Sequence, residues 1–261
     1  MSTATQRFVE LVQRPDEAVP LDESAMLIAA HADPDLDVAA ELARIDGLAA
    51  VCPDATLDGL RRHLFEDFGL AGNRRRYDDP RNSFLNQVLT RRVGIPISLS
   101  VLTIEVGRRV GLTLSGVGMP GHFLVRSDDD DLLVDPFNGG RLLSPEDCAE
   151  VYRALHGPRA PFGPHLLAPV GTRSILVRML ANLRQLYLNA GDARSAGWVY
   201  ELRAAIPAGT PADTADVARA LASIGRFTEA AATLDALAES VPEDGAQEAR
   251  ARAVSLRALL N

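Results

Sequence analysis

The chain has 261 residues, of which 47% are hydrophobic and 24% charged, the composition of a globular protein with one large or two small domains. All its basic residues other than histidine are arginines, and its net charge of −8 argues against general nucleic-acid binding. No stretch approaches roughly 18 consecutive apolar residues, and residues 1–10 have no apolar core. We therefore expect no membrane association, no signal peptide and a cytoplasmic location. Cys52 and Cys148 lack the spacing of a metal site or a disulfide framework, so we expect inert thiols, no metal and no cofactor.

Charge is distributed unevenly along the chain. Residues 1–58 hold three arginines and twelve acidic residues, whereas residues 59–110 hold ten arginines and five acidic residues. The basic segment either faces the acidic one inside the fold or forms a surface patch for an anionic partner.

The chain is predicted to be largely helical up to residue 110. Apolar residues recur at helical spacing, and capping residues or helix breakers stand at the ends of these segments. The predicted helices are Ser24–Ala32, Asp35–Ala50, Thr56–Phe68, Asn82–Arg92 and Ser98–Val110. A polar loop, Gly72–Asp79, precedes the fourth helix, and Gly94–Pro96 breaks the chain before the fifth.

Short β-rich segments bounded by Gly, Pro and Asp follow. The predicted strands are Leu112–Gly118, His122–Ser127 and Leu132–Asp135. Asp128–Asp131 lies between two predicted strands and is predicted to be a hairpin tip. No metal site is expected there, because four consecutive carboxylates on a short turn cannot all converge on a metal. A turn at Pro136–Gly140 leads to a helix from Ser144 to about residue 155, and residues 159–172 are predicted to be a linker.

The remainder of the chain, residues 173–261, is predicted to be helical and repetitive. Gly191 and Gly225 are 34 residues apart, as are three further pairs of small or bulky residues. A 34-residue period is typical of tetratricopeptide repeats. The two units would cover residues 176–207 and 212–242, followed by a capping helix at 246–260. The alternative is two unrelated helical hairpins that share the spacing by accident.

Three residues stand in an order that points to hydrolytic chemistry. Ser98 begins a predicted helix, His122 lies on a predicted strand, and Asp135 ends the next strand. The 13-residue spacing of His122 and Asp135 fits adjacent antiparallel strands whose side chains meet. Papain-like folds present a nucleophilic Cys, a His base and an orienting Asp in this order. No cysteine lies between Cys52 and Cys148, so Ser98 is the nearest hydroxyl.

Each of these residues also has a structural interpretation. Ser98 would cap its helix by accepting a backbone N–H. His122 and Asp135 would tie two strands together or line a polar binding pocket.

Three more residues are candidates for ligand binding. Asn82 and Asn86 lie one helical turn apart, and Tyr77 lies in the polar loop before them. The two amides either point into one pocket or hold the Gly72–Asp79 loop in place.

Four motifs occur in order along the chain: NSFLNQVL, GIPISLS, PGHFLVR and DPFNGG. Over about residues 25–245 the sequence resembles the bacterial transglutaminase-like proteins of the SirB type. The resemblance implies an α+β, papain-like or transglutaminase-like domain with a small antiparallel sheet, followed by an all-α tetratricopeptide-like domain. The expected boundaries are 1–158 for the first domain, 159–172 for the linker and 173–261 for the repeats.

The resemblance also bears on the candidate triad. His122 and Asp135 match the family pattern, whereas the cysteine position falls near Pro96–Ser98, where this sequence has none. We therefore expect a non-catalytic transglutaminase-like protein that binds or regulates a protein or peptide partner. The alternative is an amide-bond hydrolase or acyltransferase that uses Ser98, His122 and Asp135.

Overall fold

The protein combines many helices with a small antiparallel sheet, as predicted. The computed structural model describes residues 2–128 and 132–259, so the predicted hairpin tip lies outside the described residues apart from Asp128. The α-helices are α1 Thr3–Val12, α2 Leu21–Ala32, α3 Val38–Ala50, α4 Leu57–Arg61, α5 Leu85–Arg91, α6 Pro96–Arg109, α7 Pro145–His156, α8 Thr172–Asn189, α9 Ala193–Ala205, α10 Pro211–Ser223, α11 Phe227–Ser240 and α12 Glu243–Ala258. The strands are β1 Ala71–Gly72, β2 Val93–Gly94, β3 Leu114–Val117, β4 Leu124–Ser127, β5 Leu133–Asp135, β6 Arg141–Leu143 and β7 Pro169–Val170.

The chain divides into two units. The first comprises residues 16–179, and the second comprises residues 2–15 together with residues 180–259. The expected division differs from this one at both ends. Residues 2–15 group with the C-terminal helices, and residues 173–179 group with the first unit.

The first unit contains a five-stranded sheet in the order β6-β5-β4-β3-β7, with antiparallel neighbours throughout. The predicted strands are present but shorter than expected. His122 does not lie on a strand: it precedes β4 by two residues and follows a turn in which its N–H donates to the Met119 carbonyl at 2.9 Å. Gly121 has a φ of 76°, which an L side chain adopts only with strain, so glycine suits this turn.

The segment predicted to be a linker is part of the first unit. Its residues Pro169 and Val170 form the edge strand β7, which pairs with Gly116 and Val117 of β3. Leu167 is buried in the same apolar cluster as Cys148. A two-residue strand is too short to show an alternating pattern, and the prolines and glycines around it favour an irregular structure.

Helix α6 is the core element of the first unit. Every residue from Pro96 to Gly107 is buried, which is the behaviour of a helix enclosed on all sides. It begins at Pro96, two residues before the predicted start, because proline suits a first helical turn. The helix predicted at Thr56–Phe68 is α-helical only to Arg61 and continues as a π-helical turn over Arg62–Asp67.

The second unit is helical. Helices α9 and α11 begin 34 residues apart, and each follows a left-handed glycine, Gly191 with a φ of 69° and Gly225 with a φ of 78°. The hydrogen bonds around these glycines match: the N–H of Asp192 donates to Tyr187, and the N–H of Arg226 donates to Leu221, both at 2.9 Å. The 34-residue spacing seen in the sequence therefore corresponds to two equivalent turns that connect consecutive helices, one at Gly191 and one at Gly225.

Candidate functional site

The centre of the candidate site is a buried pair, His122 and Asp135. His122 Nε2 lies 2.9 Å from Asp135 Oδ2, and the two residues are 7% and 1% exposed. Extending the β4–β5 register places Leu124 opposite Asp135, so His122 is the diagonal neighbour of Asp135 on the same face of the sheet. The sequence spacing thus brings the two side chains together even though His122 lies outside the strand.

Asn138 completes the environment of the carboxylate. Its N–H donates to Asp135 Oδ1 at 3.2 Å, and its Nδ2 donates to Asp135 Oδ2 at 2.6 Å. Burial alone would raise the pKa of Asp135, but the hydrogen bonds from His122 and Asn138 outweigh it and lower the pKa below its usual value. Asp135 is therefore ionised at neutral pH. It accepts a hydrogen bond from His122 Nε2, which leaves Nδ1 as the ring nitrogen without a partner among the described residues.

Ser98 is not joined to this pair by a hydrogen bond within the described residues. Its hydroxyl donates to the Asn82 carbonyl at 2.5 Å and accepts the Ile95 N–H at 3.1 Å. The side chain is fully buried, and a Cβ on Gly94 would lie only 2.7 Å from its oxygen. Ser98 thus satisfies backbone groups at the start of α6, although as the third helical residue and not as the predicted first.

Asn82 holds the polar loop from inside. Its Nδ2 donates to the carbonyls of Arg76 at 2.6 Å and Tyr77 at 3.3 Å, and its Oδ1 accepts from Asn73 at 2.9 Å. Asn86 is also buried, and its Oδ1 has no partner among the described residues. The two asparagines lie inside the protein, and the hydrogen bonds of Asn82 agree with the loop-holding alternative.

Tyr77, by contrast, is half-exposed and faces the candidate site. Its ring lies 5.8 Å from that of Phe137, and the Phe137 ring lies 6.3 Å from the His122 ring, both edge-to-face. Arg74 also lies over the Phe137 ring, with its guanidinium carbon 5.5 Å from the ring centre, and it hydrogen-bonds to Asn138.

Sequence reasoning missed Arg178. This residue lies in α8, within the segment predicted to belong to the repeats, yet its Nη2 donates to the His122 carbonyl at 2.8 Å and to the Met119 carbonyl at 3.2 Å. No local pattern could have found it, because 56 residues separate it from His122. The motif DPFNGG contains Phe137 and Asn138, but the sequence predicts only a turn there.

A reactive thiol is absent from the described part of this site. Cys148 is buried, and burial together with neighbouring carboxylates raises its pKa to about 11, so it remains a thiol. Across residues 2–128 and 132–259, no cluster of three or more His, Cys, Asp or Glu side chains is arranged to hold a metal. In the same ranges, no helix is long and apolar enough to cross a membrane.

The sequence was also compared with those of known proteins and protein families. The profile described as the transglutaminase-like superfamily matches residues 27–181, more than half of the chain. The chain belongs to the transglutaminase-like superfamily. The matched region contains α6, the His122–Asp135 pair and Arg178. A comparison with solved structures found no match.

The relatives of this transglutaminase-like chain include bacterial and mammalian proteins. It is 45% identical over 188 residues to a UPF0162 protein of Xylella fastidiosa, covering 67% of each chain. It is 41% identical over 117 residues to a UPF0162 protein of Pseudomonas aeruginosa, covering 45% of this chain and 43% of the relative. It is also 34% identical over 149 residues to the F-box only protein 21 of Mus musculus, covering 53% of this chain and 23% of that protein.

Proposed function

We propose that this transglutaminase-like protein binds a protein or peptide partner and does not catalyse acyl transfer. The observation that carries the proposal is the state of Ser98, whose hydroxyl is buried and engaged by the backbone of Ile95 and Asn82. A nucleophile must reach both its base and the carbonyl it attacks. Ser98 would have to give up two backbone hydrogen bonds to do so.

The partner would meet the face formed around His122 by Tyr77, Phe137 and Arg74. These side chains combine aromatic surface with positive charge, which is the mixture that dominates protein-binding surfaces. We further infer that the two equivalent helix turns belong to tetratricopeptide-like units, as in the SirB type, and that they add a second contact surface. We also propose that the protein acts in the cytoplasm.

The alternative function is an amide-bond hydrolase that uses Ser98, His122 and Asp135. Its support is the His122–Asp135 hydrogen bond, which is the base-and-orienter half of a triad. The same pair is equally able to hold a binding surface in place.

A labelling experiment on the full chain separates the two functions. We expect no hydrolysis or transamidation of a glutamine-containing peptide above the buffer rate, and no labelling of Ser98 by a fluorophosphonate. The control is Ser98→Ala, whose labelling pattern should equal that of the wild type. Labelling of Ser98 that disappears in His122→Ala would establish the hydrolase and overturn the proposal.

Binding is tested by photo-crosslinking of the full chain in the cells of the organism that encodes it. A benzophenone side chain at position 77 should give a discrete adduct with one protein, since Tyr77 is 51% exposed beside His122. The matched control is position 51, because Val51 is 68% exposed at the end of α3. Absence of an adduct at position 77, or the same adducts from both positions, would contradict a partner at this face.

A further inference from the structure

Arg178 occupies an unusual position beside His122. Its Nη2 donates to two backbone carbonyls, those of His122 and Met119, and its guanidinium carbon lies 5.5 Å from the centre of the Phe123 ring. These contacts fix the orientation of the guanidinium. They use only one of its three nitrogens, so the N–H groups of Nε and Nη1 have no partner among the described residues.

No carboxylate neutralises this guanidinium in the part of the chain that the structure describes. Burial lowers the pKa of Arg178. Two other arginines with little exposed surface do have carboxylate partners. Arg203 pairs with Asp216 at 2.7 Å, and Arg109 pairs with Asp22 at 2.6 Å. A partly buried cation without a counter-ion is costly unless a ligand supplies the missing charge.

The surroundings of Arg178 are suited to one small anionic group. His122 Nδ1 is the ring nitrogen left free by the bond to Asp135, and it belongs to the residue whose carbonyl Arg178 contacts. The Phe137 ring lies between those of Tyr77 and His122, 5.8 Å from the first and 6.3 Å from the second. A single guanidinium matches the single negative charge of a carboxylate, and charge-assisted hydrogen bonds to it are strong.

We propose that Arg178, His122 and Tyr77 form a binding subsite for a peptide carboxylate, with the Phe137 ring as its wall. Arg178 supplies the positive charge and the N–H donors of Nε and Nη1. The ring of His122 and the hydroxyl of Tyr77 supply further polar contacts. The subsite rests on the proposed function, since it names the chemical group that a non-catalytic site would recognise.

The test is a titration of the full isotope-labelled chain, followed by NMR of the Arg178 Nε and His122 ring signals. The probes are N-acetyl-alanyl-glycine, which has a free carboxylate, its C-terminal amide, and inorganic phosphate. We expect saturable shifts with the acid and an affinity about tenfold or more above that of the amide, because the amide removes the charge-assisted bonds. This comparison needs no variant and therefore does not depend on whether a substitution folds.

Variants then assign the effect to Arg178. Arg178→Gln should lower the affinity for the acid about tenfold, whereas Arg178→Lys, which keeps the charge but lacks the Nε and Nη1 donors, should restore only part of it. Arg44→Gln is the matched control, since it removes an arginine from α3 that pairs with Glu41. Equal binding of acid and amide, unchanged binding by Arg178→Gln, or tighter binding of phosphate than of the acid would overturn the carboxylate subsite.

The same samples separate this inference from the proposed function. Turnover of a glutamine-containing peptide by a chain that binds the acid would overturn only the non-catalytic function. Absence of acid binding by a chain that turns nothing over would overturn only the subsite.

Discussion

Two buried groups of charged side chains in residues 16–179 differ in how their charges are balanced. The first, near the C-terminal end of α6, joins Asp22 and Glu105 to two arginines, Arg108 and Arg109. Arg109 reaches Asp22 at 2.6 Å, Glu105 at 2.9 Å and the exposed Asp46 at 2.6 Å. The second is the candidate site, where Asp135 is satisfied by His122 and Asn138 while Arg178 contacts only carbonyl groups and an aromatic ring.

The comparison teaches that burial of charge alone does not indicate function. In the first group the charges satisfy one another, and the pKa values divide accordingly. Burial opposes ionisation of Asp22, but hydrogen bonds from Arg109 lower its pKa, whereas burial and the neighbouring Asp22 raise the pKa of Glu105. In the second group a cation remains for which the described chain provides no counter-ion. This positive charge on Arg178, without a carboxylate partner among the described residues, is the feature that points to a ligand.

The largest expected effect on stability comes from replacing Arg109 in the first group. Arg109→Met keeps much of the side-chain volume but leaves the buried Asp22 and Glu105 with only the more exposed Arg108 as a partner, which should cost about 3 kcal/mol of unfolding free energy. Urea unfolding followed by circular dichroism measures it. Arg62→Met is the control, because Arg62 pairs with Asp58 at an exposed site and should have no measurable effect. An equal loss of unfolding free energy in Arg109→Met and Arg62→Met would show that the buried carboxylates do not depend on Arg109.

The second effect concerns Asp135. Asp135→Asn removes the negative charge that accepts from His122 and Asn138, and should cost about 2 kcal/mol at neutral pH. The pKa of Asp135 is lower in the folded state than in the unfolded state, where it is about 3.9. The contribution of Asp135 to stability is therefore fully present above the unfolded-state pKa and is lost as the pH falls through the folded-state pKa. The stability gap between wild type and variant should therefore be largest near neutrality and shrink below about pH 4.

Urea unfolding at a series of acidic and neutral pH values checks this prediction. Asp58→Asn is the control, since Asp58 is exposed and its pKa is lowered mainly by a surface hydrogen bond from Arg61. A gap for Asp135→Asn that stays constant down to pH 3, or that grows on acidification, would contradict the ionised state assigned to Asp135.

The third effect concerns Ser98. Ser98→Ala would leave the buried Ile95 N–H and Asn82 carbonyl without the hydroxyl, which should cost about 1–2 kcal/mol. Carboxylate binding at Arg178 should be unchanged, because Ser98 bonds to backbone groups only. Ser100→Ala is the matched control: the Ser100 hydroxyl is also buried in α6, but its contact with the Phe123 carbonyl is long, at 3.5 Å. A larger loss in Ser100→Ala would contradict the backbone role of Ser98.

Local sequence patterns were enough to predict the contact at the centre of the site. Strand signals around residues 122–135 and a His–Asp spacing that fits neighbouring strands both depend on short-range chemistry. The turn glycines Gly191 and Gly225 were equally visible, because a left-handed turn restricts which residue fits. These features were predicted because each is determined within a few residues along the chain.

Other features depend on contacts between distant segments. The edge strand Pro169–Val170 exists only because β3 offers it a partner, and its prolines indicated a linker instead. Arg178 looked like one polar position among many in a helix, and its role follows only when α8 is placed beside the Met119–His122 turn. The position of Ser98 in the chain makes it a candidate nucleophile, but in the structure its hydroxyl donates to the backbone carbonyl of Asn82.

The smallest effect on stability is expected for Arg178, and it is the one that sharpens the comparison most. Arg178→Met removes hydrogen bonds to two carbonyls but leaves no carboxylate without a partner, so the cost should be about 1 kcal/mol. The loss of unfolding free energy in Arg109→Met should be several times larger, although both arginines lie in the first unit. Urea unfolding of the two variants in one buffer measures the contrast. If Arg178→Met destabilises the protein as much as Arg109→Met, the guanidinium has a structural role equal to that of Arg109. If it has almost no effect on stability and abolishes binding of N-acetyl-alanyl-glycine, its charge is held in place for a ligand.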